Sequence, residues 1–85
     1  MSTSAKKSDS LNRAVRVEFQ DSYLFLKLDD GREIRTLLQL YPALERANKQ
    51  QRENFRLIGE GTGIHWPDLD EDLSVEGIVL GRSGK

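Results

Sequence analysis

The sequence predicts an α+β domain: an antiparallel meander of about three strands, a short C-terminal strand pair, one or two helices covering one face, and a short closing helix. Three observations carry this. Apolar and polar residues alternate from Val15 onward around two turn signals, Leu40, Leu44 and Ala47 recur at helical spacing, and a second apolar stretch is punctuated by Pro67 and Gly81.

The first strand rests on Val15, Val17 and Phe19 alternating with Arg16, Glu18 and Gln20, the period of two that sends one set of side chains to a core. Tyr23 to Leu28 is the second strand and Arg32 to Thr36 the third, with Asp29-Asp30-Gly31 as the turn between them. Register follows from asking which loop length brings apolar residues together, because a slip of one residue turns every side chain to the wrong face. A three-residue loop with Gly31 at positive φ sets Leu26 opposite Ile34 and Lys27 opposite Glu33; a two-residue Asp21-Ser22 loop pairs Phe19 with Leu24, Val17 with Leu26 and Val15 with Leu28. The inner face then reads Val15, Val17, Phe19, Leu24, Leu26, Leu28 and Ile34. The outer face carries Arg16, Glu18, Lys27, Glu33 and Arg35 together with Tyr23 and Phe25.

Such a sheet needs a cover on its apolar face, and the next segment supplies it. A helix is expected from Leu40 or Tyr41, with Pro42 in the first turn where its missing N–H is not needed. It should break near Asn48, a weak helix former, and a second short helix should follow over residues 49–54. Phe55, Leu57 and Ile58 read as a fourth strand, Gly59 to Gly63 as a tight turn, and Ile64 to Trp66 as a fifth strand ended by Pro67. Leu73 to Leu80 reads as the last helix, capped by Asp72 or Ser74 and stopped by Gly81.

An 85-residue chain accommodates one hydrophobic core, so a single domain is expected over residues 12–82, with residues 1–11 and 83–85 as disordered tails. There is no cysteine, which removes disulfides, thiol nucleophiles and cysteine-ligated metals from consideration. Neither a signal peptide nor an apolar run of about 18 residues is present, so no membrane is expected and the cytoplasm is the default address. With 13 Lys and Arg against 14 Asp and Glu, the whole-molecule field does not steer toward nucleic acid. The basic series Arg46, Lys49, Arg52 and Arg56 is interleaved with Glu45 and Glu53, as on an ordinary solvated helix face.

The most distinctive string runs from Gly61 to Asp72. It holds the sole His and the sole Trp, and with them Asp68, Asp70, Glu71 and Asp72. A divalent cation could be shared by His65 and these carboxylates, and an enzyme centred on His65 and Asp70 would follow. The spacing argues against it: the glycine and closing glutamate of an EF-hand loop are missing, and no second imidazole exists for a hydrolytic metal centre. The competing reading is structural, with Trp66 as a core or rim anchor whose indole N–H needs one acceptor and the acids placed before a helix start. Gly59-Glu60-Gly61-Thr62-Gly63 lacks the Gly-Lys-Ser/Thr ending of a phosphate loop and reads as a turn.

Asp30-Gly31-Arg32, Tyr41-Pro42 with Leu44, Gln51-Arg52 with Asn54-Phe55, and above all Gly63-Ile64-His65-Trp66-Pro67 with Leu69-Asp70-Glu71-Asp72 resemble the bacterial family DUF 2442, over about residues 13–81. The resemblance implies a small antiparallel sheet with helices on one side and no settled activity. It also implies, for some members, an added helix-turn-helix domain or a small neighbouring partner in a toxin–antitoxin-like arrangement. This chain departs from the pattern at Leu37 and Leu40, where a proline and a tryptophan are expected. It has no helix-turn-helix, so DNA binding is not carried over.

The resulting expectation is a non-enzymatic interaction or regulatory module without cofactor or metal. Its partner is a small protein, and its surface is drawn from Tyr23, Phe25, His65, Trp66, Asp70, Glu71 and Asp72. A metal- or ligand-binding enzyme at His65 and Asp70, and a nucleic-acid accessory protein, are the alternatives.

Overall fold

The computed structural model describes residues 11–81. The expected tails lie outside the described residues, apart from Leu11, which is exposed. Strands β1 (Ala14–Gln20), β2 (Tyr23–Leu28) and β3 (Glu33–Leu37) form one antiparallel sheet in the order β1-β2-β3. A 3-10 turn (Leu38–Leu40) leads to α1 (Pro42–Arg46) and α2 (Lys49–Glu53). A second antiparallel sheet follows, in the order β4 (Arg56–Ile58), β5 (Gly63–Trp66), β6 (Glu71–Ser74), and α3 (Val75–Val79) closes the described chain. This is the expected α+β fold.

The hairpin registers agree with the hydrophobic test. Phe19 faces Leu24, Val17 faces Leu26, Leu26 faces Ile34 and Lys27 faces Glu33. Gly31 takes φ +97°, the conformation that the bulged turn requires. In the same turn Asp30 Oδ1 accepts from Arg32 N at 3.0 Å and Oδ2 from Arg32 Nε at 2.9 Å. The main-chain N–H of Arg32, followed by its guanidinium, holds this carboxyl below its usual range against the opposing effect of desolvation.

Val15 departs from expectation. It is 57% exposed, and Ala14 takes its place opposite Leu28 because the ladder slips between Ala14 and Arg16. One extra residue in a strand reverses the alternation behind it, which a strict period of two does not anticipate. The slip has a tertiary use. It sets Ala14 beneath the Gly59–Gly61 turn, where a Cβ on Gly61 would lie 2.7 Å from Ala14 O.

The helical segment breaks where expected, and Asn48 makes the break a start. Its side chain accepts from Gln51 N at 2.7 Å while Gln51 Oε1 accepts from Asn48 N at 3.0 Å, a reciprocal capping box. Gln51 is the second half of that cap. Asn48→Ala should therefore cost about 1 kcal/mol in urea unfolding, while Lys49→Ala on the exposed first turn should change stability by less than about 0.5 kcal/mol. Leu40, expected as a helical core residue, sits exposed in the preceding 3-10 turn; Leu38 and Tyr41 are buried instead, since α1 starts only at Pro42. Burial pushes the Tyr41 phenol up from its ordinary value, opposed by a hydrogen bond with Thr36.

The last helix is shorter than its apolar spacing implies. Residues 71–74 are a strand pairing with β5, so the expected strand pair is a three-stranded sheet, and helix begins only at Val75. Ser74 is the cap, its Oγ accepting from Gly77 N at 3.1 Å. Leu73 and Val75 are both buried two residues apart, and Val75 N extends the ladder to Thr62 O at 2.9 Å. That is strand periodicity.

One cluster forms the core. The first sheet contributes Ala14, Val17, Leu24, Leu26 and Leu28; Leu38, Tyr41 and Leu44 come from the middle segment; Ile64, Trp66, Leu73, Val75 and Ile78 come from the second half. Covering the first sheet is thus shared between the helical segment and the second sheet. Among the described residues no helix is long and apolar enough to cross a membrane.

Candidate functional site

The position of Trp66 decides what the distinctive Gly61 to Asp72 string can do. Strand alternation in β5 turns Ile64 and Trp66 inward and His65 outward. Trp66 is fully buried, its Nε1 donates to Arg52 O at 2.9 Å, and the rings of Phe19 and Phe55 stand 6.3 Å away at 74° and 53°. A side chain with no exposed area contacts no partner, so Trp66 leaves the candidate surface and is a core anchor with its one donor satisfied.

The acids do not serve as a charged approach to a helix. Asp70 ends the Pro67–Leu69 turn in the left-handed region at φ 52°, which Asp tolerates, and Glu71 and Asp72 are strand residues. Asp72 stands directly across from His65, and Nδ1 lies 2.5 Å from Asp72 Oδ1. Asp68 accepts from Asn54 Nδ2 at 3.0 Å, tying the start of this segment to the end of α2. His65 is thus partnered by Asp72, not Asp70. Among the described residues no group of three or more His, Asp or Glu side chains is placed to hold a metal ion.

The basic series is also dispersed. Arg52 turns inward, donating from Nε to Leu44 O at 2.8 Å and from its terminal nitrogen to Glu45 O at 2.9 Å, with its guanidinium 5.7 Å from the Phe19 ring centre. It caps the carbonyl end of α1, adding a second bond at Leu44 O, which also accepts from Ala47 N at 3.2 Å. Lys49 pairs with Glu53 at 3.1 Å. A phosphate backbone would find no row of free cations there.

Tyr23 and Phe25 lie on the outer face of the first sheet, as their register requires. Tyr23 is 38% exposed, faces the equally exposed Leu37 across the β2–β3 ladder, and has the Arg35 guanidinium 5.3 Å from its ring centre. Phe25 is half-buried beside it, opposite Arg35. Leu37 and Arg35 complete this patch. The sequence held the signal for Leu37, because Glu33, Arg35 and Leu37 continue one alternating set past the point where the strand was expected to stop. A second surface was not anticipated: Ile58 is 43% exposed beside Gly63, and with Leu11 and Leu73 it lines an open hollow of about 470 Å³. Gly63 admits it, since a Cβ there would meet Ile58 Cγ1 at 3.0 Å.

A family model described as a protein of unknown function, DUF2442, matches residues 14–84, nearly the whole chain. The chain belongs to the DUF2442 family. The resemblance read from Ile64-His65-Trp66-Pro67 and its companions is therefore shown. Two solved structures share the DUF2442 chain's fold. The crystal structure of a protein of unknown function from Rhodospirillum rubrum is 29% identical, with a TM-score of 0.76 over 87% of this chain and 92% of that one. The solution structure of an uncharacterised protein from Chromobacterium violaceum is 23% identical, with a TM-score of 0.72 over 86% of this chain and 69% of that one. No curated protein matches the chain.

Proposed function

We propose that this DUF2442 chain is a non-enzymatic interaction module that binds a small protein through the outer face of its first sheet. The observation that supports this most is the Tyr23–Leu37 cross-strand pair. Two large apolar side chains sit adjacent and more than one-third exposed on a regular sheet, with the Arg35 guanidinium over the tyrosine ring. Aromatic residues and arginine are the types enriched in interface cores, and a rigid strand presents them at low cost in entropy. The His65–Asp72 pair, on the other sheet, offers a polar row with Arg56 instead, one that suits the rim of an interface.

Affinity capture from the native host with wild type and with Tyr23→Glu tests this. Tyr23 is exposed on the central strand, so the variant should keep the far-UV circular dichroism of the wild type. A stoichiometric small protein retained by wild type, and lost or weakened about a hundredfold by the variant, is the expected result for an interface hot spot. Equal retention by both, or no stoichiometric partner for the wild type, overturns the proposal.

A further inference from the structure

We infer that β3 is an open edge that pairs antiparallel with β3 of a second copy of this chain, around a two-fold axis at Ile34, so that Glu33 of each copy faces Arg35 of the other. This goes beyond the partner-binding proposal, which concerns side chains on the flat of the sheet and not the main-chain groups along its edge.

β3 is the last strand of its sheet, with β2 on one side. Leu28 N donates to Arg32 O and Leu38 N to Ser22 O, each at 2.8 Å, so the residues of β3 that bond to β2 are the even-numbered ones. Antiparallel alternation then points the N–H and C=O groups of Glu33, Arg35 and Leu37 away from the sheet. Among the described residues no hydrogen bond from another element reaches these outward groups. An unpaired row of this kind is a template for another strand.

Natural edges are blunted by bulges, lysine, proline or a covering loop. β1, the other edge of this sheet, has such devices: its ladder slips at Val15, and its start is packed under the turn at Gly61. β3 is regular over its five residues and contains neither lysine, proline nor glycine; its two charged residues, Glu33 and Arg35, are opposite in sign.

Charge then selects the register. Outward-facing residues can only oppose outward-facing residues. A two-fold axis at Arg35 would set guanidinium against guanidinium, and one at Glu33 would set carboxylate against carboxylate. An axis at Ile34 makes every charged pair opposite in sign, with Glu33 facing Arg35 twice, once on each side of the axis. Glu33 is exposed and has no ion-pair partner of its own among the described residues, while Arg35 is held on the same outer face by the Tyr23 ring. On the inner face the axis brings Ile34 against Ile34, in the close non-hydrogen-bonded position of the ladder. Ile34 is half-buried at the margin of the core, and its exposed remainder is what a second copy would cover. Two three-stranded sheets would become one of six.

Sedimentation equilibrium of the full chain over micromolar to millimolar concentration, with charge-swap variants, tests the pairing. Wild type should self-associate to a dimer; Glu33→Arg alone and Arg35→Glu alone should each weaken the dimer about tenfold or more; the double variant should restore it. Amide exchange at Glu33 and Arg35 should slow as the dimer fills. The swaps are at exposed positions, and matching circular dichroism confirms that each variant is folded. A wild type that stays monomeric at millimolar concentration overturns the inference, as does a double variant no tighter than the singles, or a dimer in which both amides exchange freely. None of these bears on whether Tyr23 captures a different protein.

Discussion

Trp66→Ala should cost about 3–5 kcal/mol, the range for emptying a fully buried aromatic site, and leave a large part of the chain unfolded at room temperature. The whole stability of a small domain is about 5–15 kcal/mol, and a chain this short belongs to the lower part of that range. The alanine removes the wall that Phe19 from the first sheet and Phe55 beside the second both pack against, so the loss falls on the joint between the two halves of the core. Trp66→Phe separates packing from hydrogen bonding. It retains a ring but removes the donor that Arg52 O receives at 2.9 Å, and should cost about 1–3 kcal/mol. Urea unfolding followed by circular dichroism reads both, since the variants lack the tryptophan signal. A Trp66→Ala protein within about 1 kcal/mol of wild type would show that the site is not a packed core position.

Gly61→Ala should cost about 2–4 kcal/mol, for two reasons that can be separated. Its φ is +95°, a conformation that side chains with a Cβ rarely adopt, and the added Cβ would lie 2.7 Å from the main-chain oxygen of Ala14, which cannot swing aside as a flexible side chain could. Gly31 supplies the comparison. Its φ is +97°, but nothing lies within 4 Å of the Cβ position, so Gly31→Ala carries the conformational cost alone, about 1–2 kcal/mol. Thermal or urea unfolding of the two variants gives the contact term by difference. Equal losses would mean that the first strand does not press against the Gly59–Gly61 turn.

The two positions lie on either side of a division in how this chain encodes its structure. Gly31 was readable because a hairpin turn is local: loop length, the pairing of Leu26 with Ile34 and the need for positive φ all follow from a few neighbouring residues. Gly61 was read only as part of a tight turn. Its close approach to Ala14 crosses nearly fifty residues of chain, and nothing in either local sequence announces it. Val15 was misplaced for the same reason, because the slip that exposes it serves that distant contact.

The candidate surface divides similarly. Tyr23 and Phe25 were legible, since their face follows from the register of the first two hairpins. Trp66 was legible as an anchor needing an acceptor; that Arg52 O would be the acceptor was not. The pairing of His65 with Asp72 was hidden by the helical spacing from Leu73 to Leu80, which masked the alternation of Leu73 and Val75 and with it a whole strand. A short segment offers few repeats of either period, and the ladder partner is what tips such a segment to strand.

What the amino-acid order determined by itself was the α+β class, the hairpin registers of the first sheet and the break at Asn48, because each rests on interactions between residues close in the chain. Only the tertiary structure decided the bulge at Val15, the third strand of the second sheet, the inward turn of Arg52 and the open edge at Glu33 to Leu37. Each of these depends on which distant backbone lies alongside, and a hydrogen bond or a close contact between remote segments leaves no periodic trace in either one.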